Sequence, residues 1–450
     1  MLLAASCYFY MAFIPVYILI LFVTITIDYF AGIQIEKAAE QDKKKWLSIS
    51  VISTCLVLMV FKYANFTIGN VNHLFSFFGT SKQLPYWNII LPIGLSFHTF
   101  QSLSYIIEVY RGSQKAEHNY GIFSLYVMFY PQLLAGPIER PQNLLHQFYE
   151  KHSFNPKLAT SGLRLLVWGM FKKVVIADRI AHYVTVIYAH PDHFYGFNVI
   201  LALLLFTFQV YYDFSAYTDI ARGAARVMGF RLIRNFNLPF AAQSLTDFWR
   251  RWHISLISWF NDYLYTPVVM LKRQWGKWAA VYGIIITFLL SGLWHGAAWK
   301  FVIWGGLNAI GLTYEMLTRK SRQRIGKSLP GWLNKCASMI IVFCYLSFIG
   351  IFFRADNLHD AWTIIRNMPV LNHSDFHFRF LNNKEVHDIM LSIALIIFVQ
   401  CVESLAYHKK LGKWFLYQPA YLRFAAYYLT IMSIIWLGVF EQIQFVYFQF

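Results

Sequence analysis

A histidine closes one of the uncharged stretches of this sequence. Ser291-Gly292-Leu293-Trp294-His295-Gly296-Ala297 ends a run, 278–299, with no charge between Lys277 and Lys300. A neutral imidazole, with an ordinary pKa near 6.5, accepts a proton at ordinary pH. Placed beside a hydroxyl that attacks an acyl carbonyl, it would act as general base, a contribution of about 10²–10⁴-fold. The flanking Gly292 and Gly296 let backbone or substrate approach closely. The competing role for His295 is a hydrogen bond between helices, which intramembrane histidines also make.

A second histidine, His253, stands in Phe248-Trp249-Arg250-Arg251-Trp252-His253-Ile254-Ser255. Arg250 and Arg251 could hold an anionic thioester carrier or a phosphate, with His253 orienting substrate. Taken alone, the tract reads better as an interfacial anchor, because Trp and Arg favour the headgroup level. It belongs to a longer stretch, Tyr211 to Val268, that is apolar and aromatic yet carries Asp213, Asp219, Arg222, Arg226, Arg231, Arg234, Asp247 and Asp262. Each ionised residue at the centre of a membrane helix costs about 2.5–3.5 kcal/mol on insertion scales. These charges must therefore pair, sit at the interface, or line a polar path. The side chains that could bind substrate in this region are Trp294, Trp252, Arg250, Arg251, Asp262, Asn261 and Asp213. A third cluster, Leu134-Ala135-Gly136-Pro137-Ile138-Glu139-Arg140-Pro141, breaks a helix beside charge. Broken helices persist in membranes only where they line a cavity or are buried in protein, although a plain helix end fits too.

The elements that must position these groups are membrane helices. Charged residues make up 14% of the 450, where a soluble domain has about 25%. Uncharged runs fill 1–27, 83–107, 278–299 and 336–353, each close to the ~20 residues that cross a bilayer. The expectation is one all-α polytopic membrane domain over 1–450, its motif-bearing core at about 90–310. About eleven transmembrane helices plus re-entrant segments would surround a polar funnel or tunnel. The N-terminus lacks a basic n-region and an A-x-A-like site, so it reads as a retained anchor. The net charge of +17 sits largely in short loops, Lys37–Lys45, Arg319–Lys327 and His408–Lys413. That is the positive-inside pattern, which places both termini and the loop 354–387 outside. No basic tract interleaved with aromatics points to nucleic acid. The five cysteines form no C-x-x-C pair and read as buried small apolar residues. The remaining histidines, His73, His98, His118, His190, His193, His373 and His377 among them, lack metal-ligand spacing, so no metal is expected. No G-x-x-x-x-G-K-[ST], H-E-x-x-H or G-x-S-x-G occurs. A transporter or flippase without covalent chemistry would also need the buried charges.

Four segments together resemble the membrane-bound O-acyltransferase family, and within it the alginate-type branch that acetylates envelope polysaccharides. They are Leu91–Gly112 (LPIGLSFHTFQSLSYIIEVYRG), Tyr130–Pro141 (YPQLLAGPIERP), Tyr211–Tyr265, and Leu290–Gly306 (LSGLWHGAAWKFVIWGG). The resemblance implies that His295 matches the family's catalytic histidine and His253 its supporting one. It implies a cytoplasmic thioester donor, acetyl-CoA or an acyl carrier, with no tightly bound cofactor. It also implies a polysaccharide acceptor, an extracytoplasmic acetyltransferase partner protein, and a place in the lipid bilayer of the inner (cytoplasmic) membrane. D-alanyl or other acyl transfer to teichoic acid, lipid or protein is the alternative within the enzyme class. The chain departs from the branch at Asn261, where Arg is usual, and at Val268-Val269-Met270, where Leu-Gly-Gly is usual. Relatives often carry a further apolar segment ahead of LLAASCYFYM, so a longer start is expected from the resemblance.

Overall fold

The computed structural model describes residues 1–12, 14–370, 383–408, 411–441, 445 and 446. Within that range the regular structure is helical throughout, as expected of backbone that must satisfy its own hydrogen bonds in hydrocarbon. Seven helices among the described residues are long and apolar enough to cross a membrane. Most of the other expected segments are shorter or interrupted, and Trp299–Leu317 is 19 residues long but less apolar. The stretch 120–138 divides into Tyr120–Met128 and Tyr130–Leu133, because Pro131 is tolerated only in a first helical turn. His373, Asp375, His377 and Arg379 of the loop 354–387, and Lys409 and Lys410 of the basic loop, lie outside the described residues.

Contacts group the chain into two compact units. The first comprises Met1–Leu163, Ala221–Ile233 and Gly296–Ala298. It is built on α1 (Tyr17–Lys37), α2 (Glu40–Phe77, with a π-helical turn at Met59–Tyr63) and α3 (Leu95–Tyr110), which pack on one another. Gly94 starts α3 at φ 79, with Leu133 O only 2.8 Å from where a Cβ would stand, so only glycine fits. The buried Asp28 of α1 accepts hydrogen bonds from Ser50 (2.5 Å) and Thr54 (3.4 Å) of α2. The Gly-Pro-Ile-Glu cluster is buried here as well. Glu139 accepts from Ile233 N–H at 2.6 Å, its own N–H donates to Gln101, and its carbonyl accepts from Tyr126.

The second unit comprises Arg164–Ile220, Arg234–His295 and Trp299–Phe450. It contains most of α4 (Gly196–Val227), the short α5 (Leu245–Arg251) and α6 (Ile254–Phe260), the hairpin α7 (Lys277–His295) and α8 (Trp299–Leu317), and α9 (Gly331–Arg354). Two glycines let the hairpin close. A Cβ on Gly292 would stand 2.2 Å from Phe301 O, and one on Gly305 2.2 Å from Phe288 O. Small residues at such crossings allow the backbone contact on which association in lipid depends. Two of the acids that looked too costly for a membrane, Asp213 and Asp219, are paired with lysines. Lys172 meets Asp219 (2.7 Å), Ser215 (3.0 Å) and Glu403 (3.6 Å), and Lys173 meets Asp178 (2.7 Å) and Asp213 (2.8 Å). A buried charge is tolerated when paired and hydrogen-bonded. The cysteines depart from expectation. They are free, and all but Cys7 are exposed on the protein surface. All four lie on helices long and apolar enough to cross a membrane, where a small apolar side chain can face outward.

Candidate acyl-transfer site

α5 begins where Ser244 Oγ accepts Asp247 N–H at 3.0 Å, an N-cap worth about 1 kcal/mol. The Glu315 carboxylate of α8 reinforces this end, accepting Leu245 N–H at 2.6 Å and Thr246 N–H at 3.3 Å. A negative group suits the positive end of a helix. The chain then breaks at Trp252 and His253 before α6. His253 stands at φ 43, ψ 51, in the left-handed region. Only one other described residue besides glycines has positive φ, Leu238. For a residue with a Cβ this conformation costs roughly 1–2 kcal/mol. Strain of that kind persists where the surroundings over-determine it, typically at functional sites.

His253 and His295 line one cavity of about 80 Å³. Its walls come from α4 (Phe206, Thr207, Val210), from α5, α6 and the break between them (Phe248, Trp249, Trp252, His253, Leu256, Ile257), from the hairpin (Ser291, His295, Trp304), and from α9 (Leu346, Ile349, Gly350, Phe353). Aromatic and aliphatic side chains dominate, with few polar groups. Small-molecule sites have this composition, a mostly apolar cleft in which a small set of polar atoms fixes orientation. Both histidines are buried, at 1% and 8% exposure, so an imidazole here works largely out of bulk water. The His295 ring lies edge-on to Trp304 (5.0 Å between centroids) and Phe353 (5.2 Å). Trp294 packs against both histidines, its ring centroid 4.7 Å from that of His295 and 6.5 Å from that of His253. This aromatic packing holds the imidazoles by ring faces and edges.

The expected substrate-binding residues divide into two groups. Trp252 lines the cavity and Trp294 packs on both histidines without entering the lining. The charged and amide residues lie elsewhere. Arg250, Asn261 and Asp262 are exposed. Arg251 binds Asp247 at 2.8 Å and Asp213 is held by Lys173 and by Val446 N–H at 2.8 Å. The physical reason is desolvation: an ion facing an apolar cavity would lack the partners these residues find outside it. Several lining residues were not singled out from sequence. Ser291 was legible, since it precedes His295 by four and shares its helical face. Leu346, Gly350 and Phe353 share one face of α9, but nothing in the sequence says what that face meets.

Residues 3–354 match the model of the membrane-bound O-acyltransferase family. The chain belongs to that family. Its sequence is 36% identical to a probable alginate O-acetylase of Azotobacter vinelandii, over 89% of this chain and 78% of that protein. It is 38% identical to a probable alginate O-acetylase of Pseudomonas aeruginosa, over 82% of this chain and 69% of that protein. A peptidoglycan O-acetyltransferase of Helicobacter pylori is 30% identical, over 90% of this chain and 83% of that protein. The protein is thus a multi-pass membrane acyltransferase, and the family match covers the whole motif-bearing core, including both histidines. Among the described residues no group of histidines, cysteines and carboxylates is placed to hold a metal.

Proposed function

We propose that this acyltransferase transfers an acetyl group from a cytoplasmic thioester, acetyl-CoA or an acyl carrier, into O-acetylation of an envelope or exported polysaccharide, with His295 as general base. The observation that carries the reading is the placement of His295 in the wall of a buried apolar cavity it shares with His253. Named relatives that act on alginate and peptidoglycan support a polysaccharide acceptor. His295 takes the proton of the attacking hydroxyl as its oxygen bonds to the thioester carbonyl carbon. The C–S bond then breaks, and the thiolate leaves with that proton. The low polarity around the histidines strengthens each electrostatic contact in the transition state. A cavity of about 80 Å³ has room for roughly five to eight water-sized groups, which suits a short acyl group better than a long chain. The acceptor step proceeds with an extracytoplasmic acetyltransferase partner protein, from a place in the cytoplasmic membrane.

The test is ester-linked acetyl on purified envelope polysaccharide from cells carrying the wild-type chain or His295→Ala, at matched membrane levels. Loss of at least ~100-fold in the variant is expected of a general base. Full acetylation by His295→Ala moves the base elsewhere, and no acetyl ester in either strain removes the polysaccharide acceptor.

A further inference from the structure

The break that presents His253 is held by a segment outside the cavity. Residues 235–238 run beside residues 251–255. Asn237 N–H donates to Arg251 O at 2.9 Å, and Ile254 N–H donates to Asn235 O at 2.9 Å. Ser255 N–H donates to the Asn235 side-chain Oδ1 at 3.1 Å, and Arg251 Nη1 donates to Asn237 O at 3.4 Å. Both left-handed non-glycine residues of the described chain, Leu238 and His253, fall inside this bracket.

His253 occupies the N-cap position of α6. An N-cap side chain ordinarily accepts the free N–H groups of the first turn, which is why Ser, Thr, Asp and Asn are preferred there. His253 makes no such bond, and its ring contributes instead to the cavity lining. The first two N–H groups of α6 are taken by Asn235, one through its carbonyl and one through its side chain. Asn235 is fully buried, and its Nδ2 has no hydrogen-bond partner among the described residues. A buried amide that leaves its NH₂ unused and its oxygen engaged is present for the oxygen.

We propose that Asn235 is a positioning residue for acyl transfer: as a surrogate N-cap for α6 it fixes His253 in the left-handed conformation that places the imidazole in the cavity wall. The inference rests on the reading that His253 works in the acyl-transfer site. Without the Oδ1 contact, Ser255 N–H is left buried without an acceptor, and the turn relaxes toward ordinary helical or extended φ. That swings the imidazole out of register with Trp294 and His295.

The experiment compares His253→Ala, Asn235→Ala, the double variant and Asn235→Asp for ester-linked acetyl on envelope polysaccharide, at matched membrane levels. Asn235→Ala is expected to lose about 10- to 100-fold, the scale of a misplaced catalytic group. The double variant is expected to be no worse than His253→Ala alone, since residues acting through one another are non-additive. Asn235→Asp restores the oxygen and is expected to recover most of the activity. A purely structural asparagine would instead give multiplying losses and no selective rescue. Full activity in Asn235→Ala, with loss in His253→Ala, overturns the inference, as do multiplying losses. Full activity in His253→Ala overturns the reading beneath it. If Asn235→Ala does not reach the membrane, Asn235→Asp decides: activity near wild type supports the role, and inactivity at normal level rejects it.

Discussion

Gly305→Ala offers the sharpest test of how the α7–α8 hairpin sets the site. A Cβ at this position would stand 2.2 Å from Phe288 O, and ordinary contact begins at 3.4 Å, so the backbones must part by about 1.2 Å. The obstruction is a backbone oxygen inside a helix, which cannot rotate away as a side-chain tip can. Trp304 precedes Gly305 and lies 5.0 Å from the His295 ring. His295 itself follows Gly292, the other crossing glycine, by one helical turn. Parting the hairpin therefore shifts His295 against the wall that locates it. A displacement of about 1 Å in a reacting group lowers rate by roughly 100-fold, and overpacking costs about 1–3 kcal/mol of stability. The control is the next residue. A Cβ on Gly306 would meet only Leu289 Cδ2, at 3.9 Å, an ordinary contact. Acetyl ester formed per unit of membrane-inserted protein should fall by at least ~30-fold in Gly305→Ala and stay within about twofold of wild type in Gly306→Ala. Equal activities for the two variants would refute the argument that close backbone approach fixes the site.

Further outcomes follow from the same geometry. Because His253 is left-handed, His253→Gly should be more stable than His253→Ala by about 1 kcal/mol, the reverse of their order inside a helix; melting of the purified proteins in detergent reads the difference. Gly350→Ala should be tolerated, since its Cβ would meet Phe206 at 3.7 Å. Gly350→Leu should fill much of the 80 Å³ cavity and cut acetyl transfer by roughly tenfold or more at normal membrane level. Glu315→Ala removes the acceptor for two N–H groups at the start of α5 and should cost about 1–2 kcal/mol of thermal stability, with Glu315→Gln losing less. Burial raises the Glu139 carboxyl to about 7 from an ordinary 4.5. The folded protein thus keeps a proton that the unfolded chain has released, and Glu139 weakens the fold as pH rises from about 4.5 to 7. Glu139→Gln should flatten that part of a melting-temperature profile against pH, and an unchanged profile would remove Glu139 as its source.

Much of this protein is determined by sequence alone. Long uncharged runs point to membrane helices, because unpaired backbone in hydrocarbon costs several kcal/mol per group, although the run 83–107 is helical only from Leu95. The four family-like segments together carried the family, and with it both histidines of the cavity. The charged residues of 211–268 were legible as ones that had to pair, sit at the interface or line a polar path, but not which of them would do which. Asp213 reads as a site residue in sequence and proves to be held by Lys173, forty positions away. The wall that α9 contributes, and the hydrogen bonds of Asn235 to the first turn after His253, were decided only by the tertiary structure. The reason is physical. A period of 3.6 residues tells which side chains share a helix face, and local tracts tell which residues can do chemistry. Which faces meet, and which buried oxygen takes a free N–H across a chain break, depend on packing between segments distant in sequence, and no local pattern encodes that.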